Sequence, residues 1–197
     1  MTTLRPPGEV KAYLTVEVFD RQGKRRFYRR MRSRSFVQAF QGLLLVQLSA
    51  GGVAPTLPDI NNSSYTLASH AVDLNIEPED NLIGVVVGTG ATAVAATDYA
   101  LAAKIGTGTG SGQLSYGLQV ISALSVADPL ASYTIQRDFL NSSGASITVQ
   151  EVGLYGWGRT SLAASTRFML VRDLVSGGIA VADGANLRVT YTVQTST

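Results

Sequence analysis

Residues 187–193 read Leu-Arg-Val-Thr-Tyr-Thr-Val, with an apolar side chain at every second position and a polar one between. A period of two places Leu187, Val189, Tyr191 and Val193 on one face of an extended chain. Arg188, Thr190, Thr192 and Gln194 fall on the other face. A helix would scatter this pattern around its axis, so the segment is a half-buried strand. The same period runs through residues 10–19, where Val10, Ala12, Leu14, Val16 and Val18 share a face opposite Lys11, Tyr13, Thr15, Glu17 and Phe19. It returns at Tyr133, Ile135, Arg137 and Phe139, set against Thr134, Gln136 and Asp138.

Turn residues separate these segments. Asp20-Arg21-Gln22-Gly23 predicts a hairpin that returns through residues 25–32. Asn141-Ser142-Ser143-Gly144 and Asp183-Gly184 mark two further reversals. Short apolar strands are expected at residues 82–87, 114–120 and 168–171. Ile147 and Val149 have one parity and Val152 and Leu154 the other, so a β-bulge is expected near Gln150-Glu151.

One segment changes period. Phe36, Val37, Phe40, Leu43 and Leu44 recur at helical spacing behind Ser35, with Gln38 three residues after it. The spacing predicts a helix over 35–49, capped by Ser35 and ended by Gly51-Gly52. Residues 51–70 read as an extended loop, 97–104 as one or two helical turns, and 106–112 as a flexible glycine loop. The pattern predicts a mainly β chain, an antiparallel sandwich or jelly-roll-like barrel, with one N-terminal hairpin-helix element. Residues 1–50 form that element, packed on a sandwich-like domain at 51–197, the two making one structural unit.

Charge is sparse and uneven. Charged residues are 15% of the chain, against about 25% in typical domains, while 45% are hydrophobic. A surface so poor in charge is expected to be covered by other subunits. Residues 21–34 hold eight of the sixteen Lys and Arg and no acid, leaving 8 − 14 = −6 on the remainder. Arg25, Arg26, Arg29, Arg30, Arg32 and Arg34 are therefore the candidate assembly contact. The alternatives are a solvated hairpin face and contact with a phosphate backbone, which carries no base sequence information.

Chemistry finds little footing. The chain has no cysteine, so disulfides and thiolate catalysis are excluded. His70 is the single histidine and no GxSxG pattern supports it, so neither a serine triad nor a zinc site is expected. Gly112 is followed by Gln113-Leu114 rather than the Lys-Ser/Thr of a phosphate loop. Residues 85–90 begin like a dinucleotide fingerprint, but Ala93 stands where its third glycine belongs. Glu77, Glu79 and Asp80 form an acidic cluster without calcium-loop spacing. No catalytic residue, cofactor or metal is expected. No stretch reaches the ~20 apolar residues of a membrane helix, and residues 1–20 contain no apolar leader core.

Three stretches resemble those of tailed-bacteriophage virion structural proteins. The first runs Met31-Arg32-Ser33-Arg34-Ser35-Phe36-Val37-Gln38-Ala39-Phe40 into Leu43-Leu44. The second is Ile83-Gly84-Val85-Val86-Val87-Gly88-Thr89-Gly90, followed by Asp98-Tyr99 and Leu101. The third joins Val152-Gly153-Leu154-Tyr155, Leu170-Val171-Arg172-Asp173 and Val181-Ala182-Asp183-Gly184 to the last strand. The resemblance implies a virion protein, made in the host cytoplasm, that assembles with copies of itself and with other virion proteins. A capsid auxiliary or decoration protein is the first expectation, and a tail, neck or baseplate component the second. An adhesin or receptor-binding module with Trp157 in its pocket is a further alternative, and an enzyme with a cleft joining His70 or a pair of acids the last.

Overall fold

A computed structural model describes residues 9–48, 55–67, 74, 80–160 and 165–196. Eleven strands and one helix are found among them: β1 (Glu9–Phe19), β2 (Arg25–Ser33), α1 (Gln38–Leu48), β3 (Thr56–Pro58), β4 (Ser64–Thr66), β5 (Gly84–Gly88), β6 (Ser115–Ile121), β7 (Ser125–Ala127), β8 (Leu130–Leu140), β9 (Ile147–Arg159), β10 (Ser165–Val181) and β11 (Asn186–Ser196). Two antiparallel sheets pack face to face. The larger has the order β2-β1-β11-β8-β6, with β7 also on β8; the smaller has the order β10-β9-β5. This is the expected mainly β, sandwich-like architecture.

The alternating side chains meet in rows across the large sheet. Leu14, Tyr191 and Ile135 stand abreast, as do Val16, Val189 and Arg137, and Val18, Leu187 and Phe139. All nine are buried and face the small sheet. The small sheet is buried on both of its faces, with Val85, Val86 and Val87 of β5, Val149 and Val152 of β9, and Phe168 and Met169 of β10 not exposed at all. β1 pairs with β11 along its whole length, so the N-terminal hairpin belongs to the large sheet, with β1 inside it and β2 at its edge. Three antiparallel partners in succession let the long strands share one apolar face while leaving the other polar.

The structure corrects four expectations, each for a backbone reason. The helix begins at Gln38, not 35. The Ser35 carbonyl accepts the Arg172 amide at 3.1 Å and the Val37 amide donates to the Leu170 carbonyl at 3.1 Å. Residues 35–37 are thus committed to the edge of β10, and Ser35 cannot cap. Residues 97–104 form turns without a helix, because buried Glu151 takes up the Ala102 and Ala103 amides. Residues 51–70 contain a small hairpin, β3–β4, turned around buried Asp59. One carboxylate oxygen of Asp59 accepts the Asn61 and Ser63 amides, both at 2.9 Å, and the other accepts the Thr166 hydroxyl.

The fourth correction concerns the bulge. β9 keeps its parity, with Val149 and Glu151 turned to the same buried face. The irregularity lies opposite Gln150 but belongs to β10, where residues 175–178 intervene between Leu174, paired with Glu151, and Ile179, paired with Val149. Gly177 and Gly178 make it with φ of 77° and 64°, a region that L side chains resist.

Candidate assembly surfaces

The two outer edges of the large sheet differ in chemistry. β2 forms one edge, and Tyr28, Arg30 and Arg32 alternate on its solvent face with Phe27, Arg29 and Met31 turned inward. The hairpin neutralises much of its own charge. Arg25 pairs with Glu17 at 2.9 Å, Arg26 with Asp20 at 2.6 Å, and Arg21 with Asp183 at 2.5 Å. Exposed pairs of this kind add little stability. Arg29 donates to the Ser176 carbonyl in the β10 bulge and lies over the Phe27 ring, so it serves the fold. Arg30 stacks over Tyr13 with its guanidinium carbon 4.2 Å from the ring centroid. Arg30, Arg32 and Arg34 are exposed. Of the six arginines singled out by sequence, Arg30 and Arg32 therefore form the outward basic strip. Arg25 and Arg26 lie beside carboxylates at the turn.

β6 and β7 form the opposite edge and, among the described residues, pair only with β8. Leu118 and Val120 are each 55% exposed, Leu124 66% and Val126 73%. Ile121 and Leu130 are exposed beside them. Residues 105–127 contain no charged side chain. Sequence reading for strand parity missed this edge. The signal that marks it is the 23-residue uncharged run between Lys104 and Asp128.

A second apolar feature lies between the two sheets beside α1. There α1 roofs a groove of about 280 Å³ lined by Ala12, Phe40, Leu43, Tyr133, Val171 and Tyr191 among others. Among the described residues no charged side chain lines it. Behind it, the Tyr191 hydroxyl donates to Asp173 at 3.2 Å. Burial raises the Asp173 carboxyl above its ordinary value of 3.8, against the hydrogen bonds that lower it. The folded chain therefore holds this proton more tightly than the unfolded chain does. Stability from this group is present at low pH and is lost as pH rises from about the ordinary value upward. Asp173→Asn is expected to remove that loss. Melting temperatures of the two proteins should diverge in favour of the variant as pH rises above the ordinary carboxyl value; parallel curves would contradict it.

Buried polar groups fasten the second stretch of the phage resemblance to the third. Arg172, 2% exposed, donates to Glu151 and to Asp98 at 2.8 Å each. It also donates to the Thr92 hydroxyl and carbonyl. Glu151, fully buried, additionally accepts the Gly90, Ala102 and Ala103 amides. Arg172 thus fixes a loop by charge-assisted bonds, as the Arg172-Asp173 pair after a buried run predicts. Tyr155 accepts the Leu101 amide at 2.8 Å, and burial pushes its phenol up to about 12. The whole 89–104 loop is held by β9 and β10.

The remaining sequence candidates lie apart. His70, Glu77 and Glu79 are outside the described residues, and Asp80 accepts the Leu82 amide. Trp157 sits within β9, not at a loop tip, and is half-buried under Arg167, whose guanidinium carbon is 4.1 Å from its ring centroid. Among the described residues no three His, Cys, Asp or Glu side chains gather as a metal site. Among them, too, no helix is long and apolar enough to cross a membrane. No protein-family model matches the chain, and neither a curated protein nor a solved structure does.

Proposed function

We propose that this chain is a non-enzymatic structural subunit of a tailed-bacteriophage particle, incorporated in many copies through contacts at the edges of its large sheet. A capsid auxiliary or decoration role is the favoured position, with tail, neck and baseplate positions sharing the same contact chemistry. The observation that carries the reading is the separation of two outward surfaces, one basic and one apolar, at opposite edges of one rigid sheet. Such a subunit is bivalent, and bivalent subunits build rings and shells. The low charge of the chain agrees with a surface that neighbours cover.

Two further points support it. The first phage-like stretch runs from β2 into α1, and the second and third fall mainly in strands or in the loop pinned by Glu151 and Arg172. The polar network is spent on backbone amides and internal ion pairs, leaving no described carboxylate pair poised across a cleft. Trp157 under Arg167 offers a poor platform for a ligand, which weighs against the adhesin reading.

The basic strip is assigned to an acidic neighbour in the particle. The double variant Arg30→Glu, Arg32→Glu is exposed and should fold normally. It is expected to lose co-sedimentation with particles while circular dichroism stays unchanged. Raising salt should weaken the wild-type contact in the same direction. Undiminished co-sedimentation of the double variant would remove the strip from the assembly contact.

A further inference from the structure

We infer that the β6–β7 edge is a self-pairing surface, on which a second copy of this chain adds its own β6–β7 edge antiparallel across a two-fold axis. The inference rests on the structural-subunit reading above and names one of its contacts. Three observations lead to it.

The first is the unpaired edge itself. Among the described residues, β6 and β7 pair with β8 on one side and no other strand pairs with them. Natural edges are commonly blunted with charge, proline or a bulge. The β2 edge follows that rule with arginines. On the other side a bulge between Tyr116 and Gln119 interrupts the start of the edge. Beyond it, from 119 to 127, there is no charge and no proline, and among the described residues no further strand pairs there.

The second observation decides which partner fits. A two-fold contact sets each residue against the same stretch of its copy. On the β2 edge that symmetry would bring Arg30 and Arg32 against like charge. On the β6–β7 edge it brings uncharged residues together: the segment from Ile105 to Ala127 has no ionisable acid or base other than Tyr116, which is buried. A head-to-tail contact would place the apolar edge against the arginines and leave both poorly matched. The edge chemistry therefore selects a copy of itself.

The third observation is extent. Val120, Leu124 and Val126 are each more than half exposed and Ile121 nearly so, with Leu118 and Leu130 flanking them. Together they expose several hundred Å² of apolar surface, at the upper end of what one patch on a monomer usually shows. A two-fold contact counts that surface twice, against the roughly 1,000 Å² expected of a specific interface. The added main-chain bonds would extend the large sheet through both copies.

The test is sedimentation equilibrium on the purified chain at micromolar concentrations, with particle co-sedimentation run in parallel. Wild type is expected to be a dimer. The double variant Val120→Lys, Val126→Lys replaces two exposed side chains and is expected to fold. It should weaken the dimer by on the order of a hundredfold, because like charges are set against each other. The Arg30→Glu, Arg32→Glu variant should leave the dimer intact. As a second measurement, Val126→Cys gives the chain its single thiol, and a short thiol-to-thiol crosslinker should join two copies. A monomeric wild type, or a dimer indifferent to the two lysines, would overturn the inference. If such a protein still co-sediments with particles, the structural reading survives and self-pairing alone fails. A lysine-sensitive dimer that never joins a particle supports self-pairing and removes the virion reading.

Discussion

Glu151→Ala is expected to lower the stability of the chain by about 3–5 kcal/mol, the usual result of breaking a buried ion pair from one side. Glu151 is fully buried and its two oxygens serve four donors: Arg172 and the amides of Gly90, Ala102 and Ala103. Alanine leaves those amides without their acceptor and leaves a buried guanidinium with Asp98 as its remaining carboxylate. For a domain of this size the melting temperature should fall by roughly 10 °C. Glu151→Gln keeps an acceptor oxygen but removes the charge and turns an amide group toward Arg172, so a smaller drop is expected. Hydrogen exchange should localise the effect, with faster exchange at Ala102 and Ala103 in both variants. A loss below about 1 kcal/mol in Glu151→Ala would show that water replaces the carboxylate at little cost.

Phe139→Ala is the second large expected effect, about 3–5 kcal/mol. Phe139 is fully buried in the row Val18, Leu187, Phe139 and Tyr116. Its ring meets Tyr116 edge-on at 4.8 Å between centroids. Truncation removes the contact and leaves a cavity between β8 and β6. The Tyr116 hydroxyl donates to the Ile105 carbonyl at 2.8 Å and cannot follow its ring into the space without breaking that bond. Because β6 is the edge proposed to pair with a second copy, the variant should also loosen dimerisation. Urea unfolding would measure the first effect and sedimentation the second. Loss of stability without any change in dimerisation would mean that the edge is shaped independently of its inner face.

Local patterning carried much of the architecture. The parity of Leu14, Val16 and Val18, and that of Leu187, Val189 and Tyr191, identified the inner face of the large sheet because both strands bury one side only. Parity failed in β9. There side chains of both parities are buried, with the 89–104 loop packed over Glu151 and Tyr155, so Val152 and Leu154 are buried opposite to Val149 without any phase shift. The Ser35 helix start failed because a nonlocal partner, β10, claimed the backbone of residues 35–37 first. The turns of residues 97–104 follow from Glu151, about 50 residues away, and no local signal announces them.

The candidate surfaces divide the same way. The run of arginines was plain in the sequence, but which of them point outward depended on pairing register: Arg29 turns to the Ser176 carbonyl while Arg30 and Arg32 face solvent. The apolar edge was written in the absence of charge between Lys104 and Asp128, a quieter sign than any motif. Its exposure emerges only once β6 and β7 are known to be the last strands on their side of the sheet.

The central claim, that this chain is a repeated structural part of a phage particle, is tested most directly by an electron-microscopic reconstruction of purified particles. The account predicts density for this sandwich repeated by the particle's symmetry, with copies meeting through β6–β7 and the Arg30–Arg32 strip against an acidic neighbour. Particles that are complete in every symmetric position without this chain would contradict it.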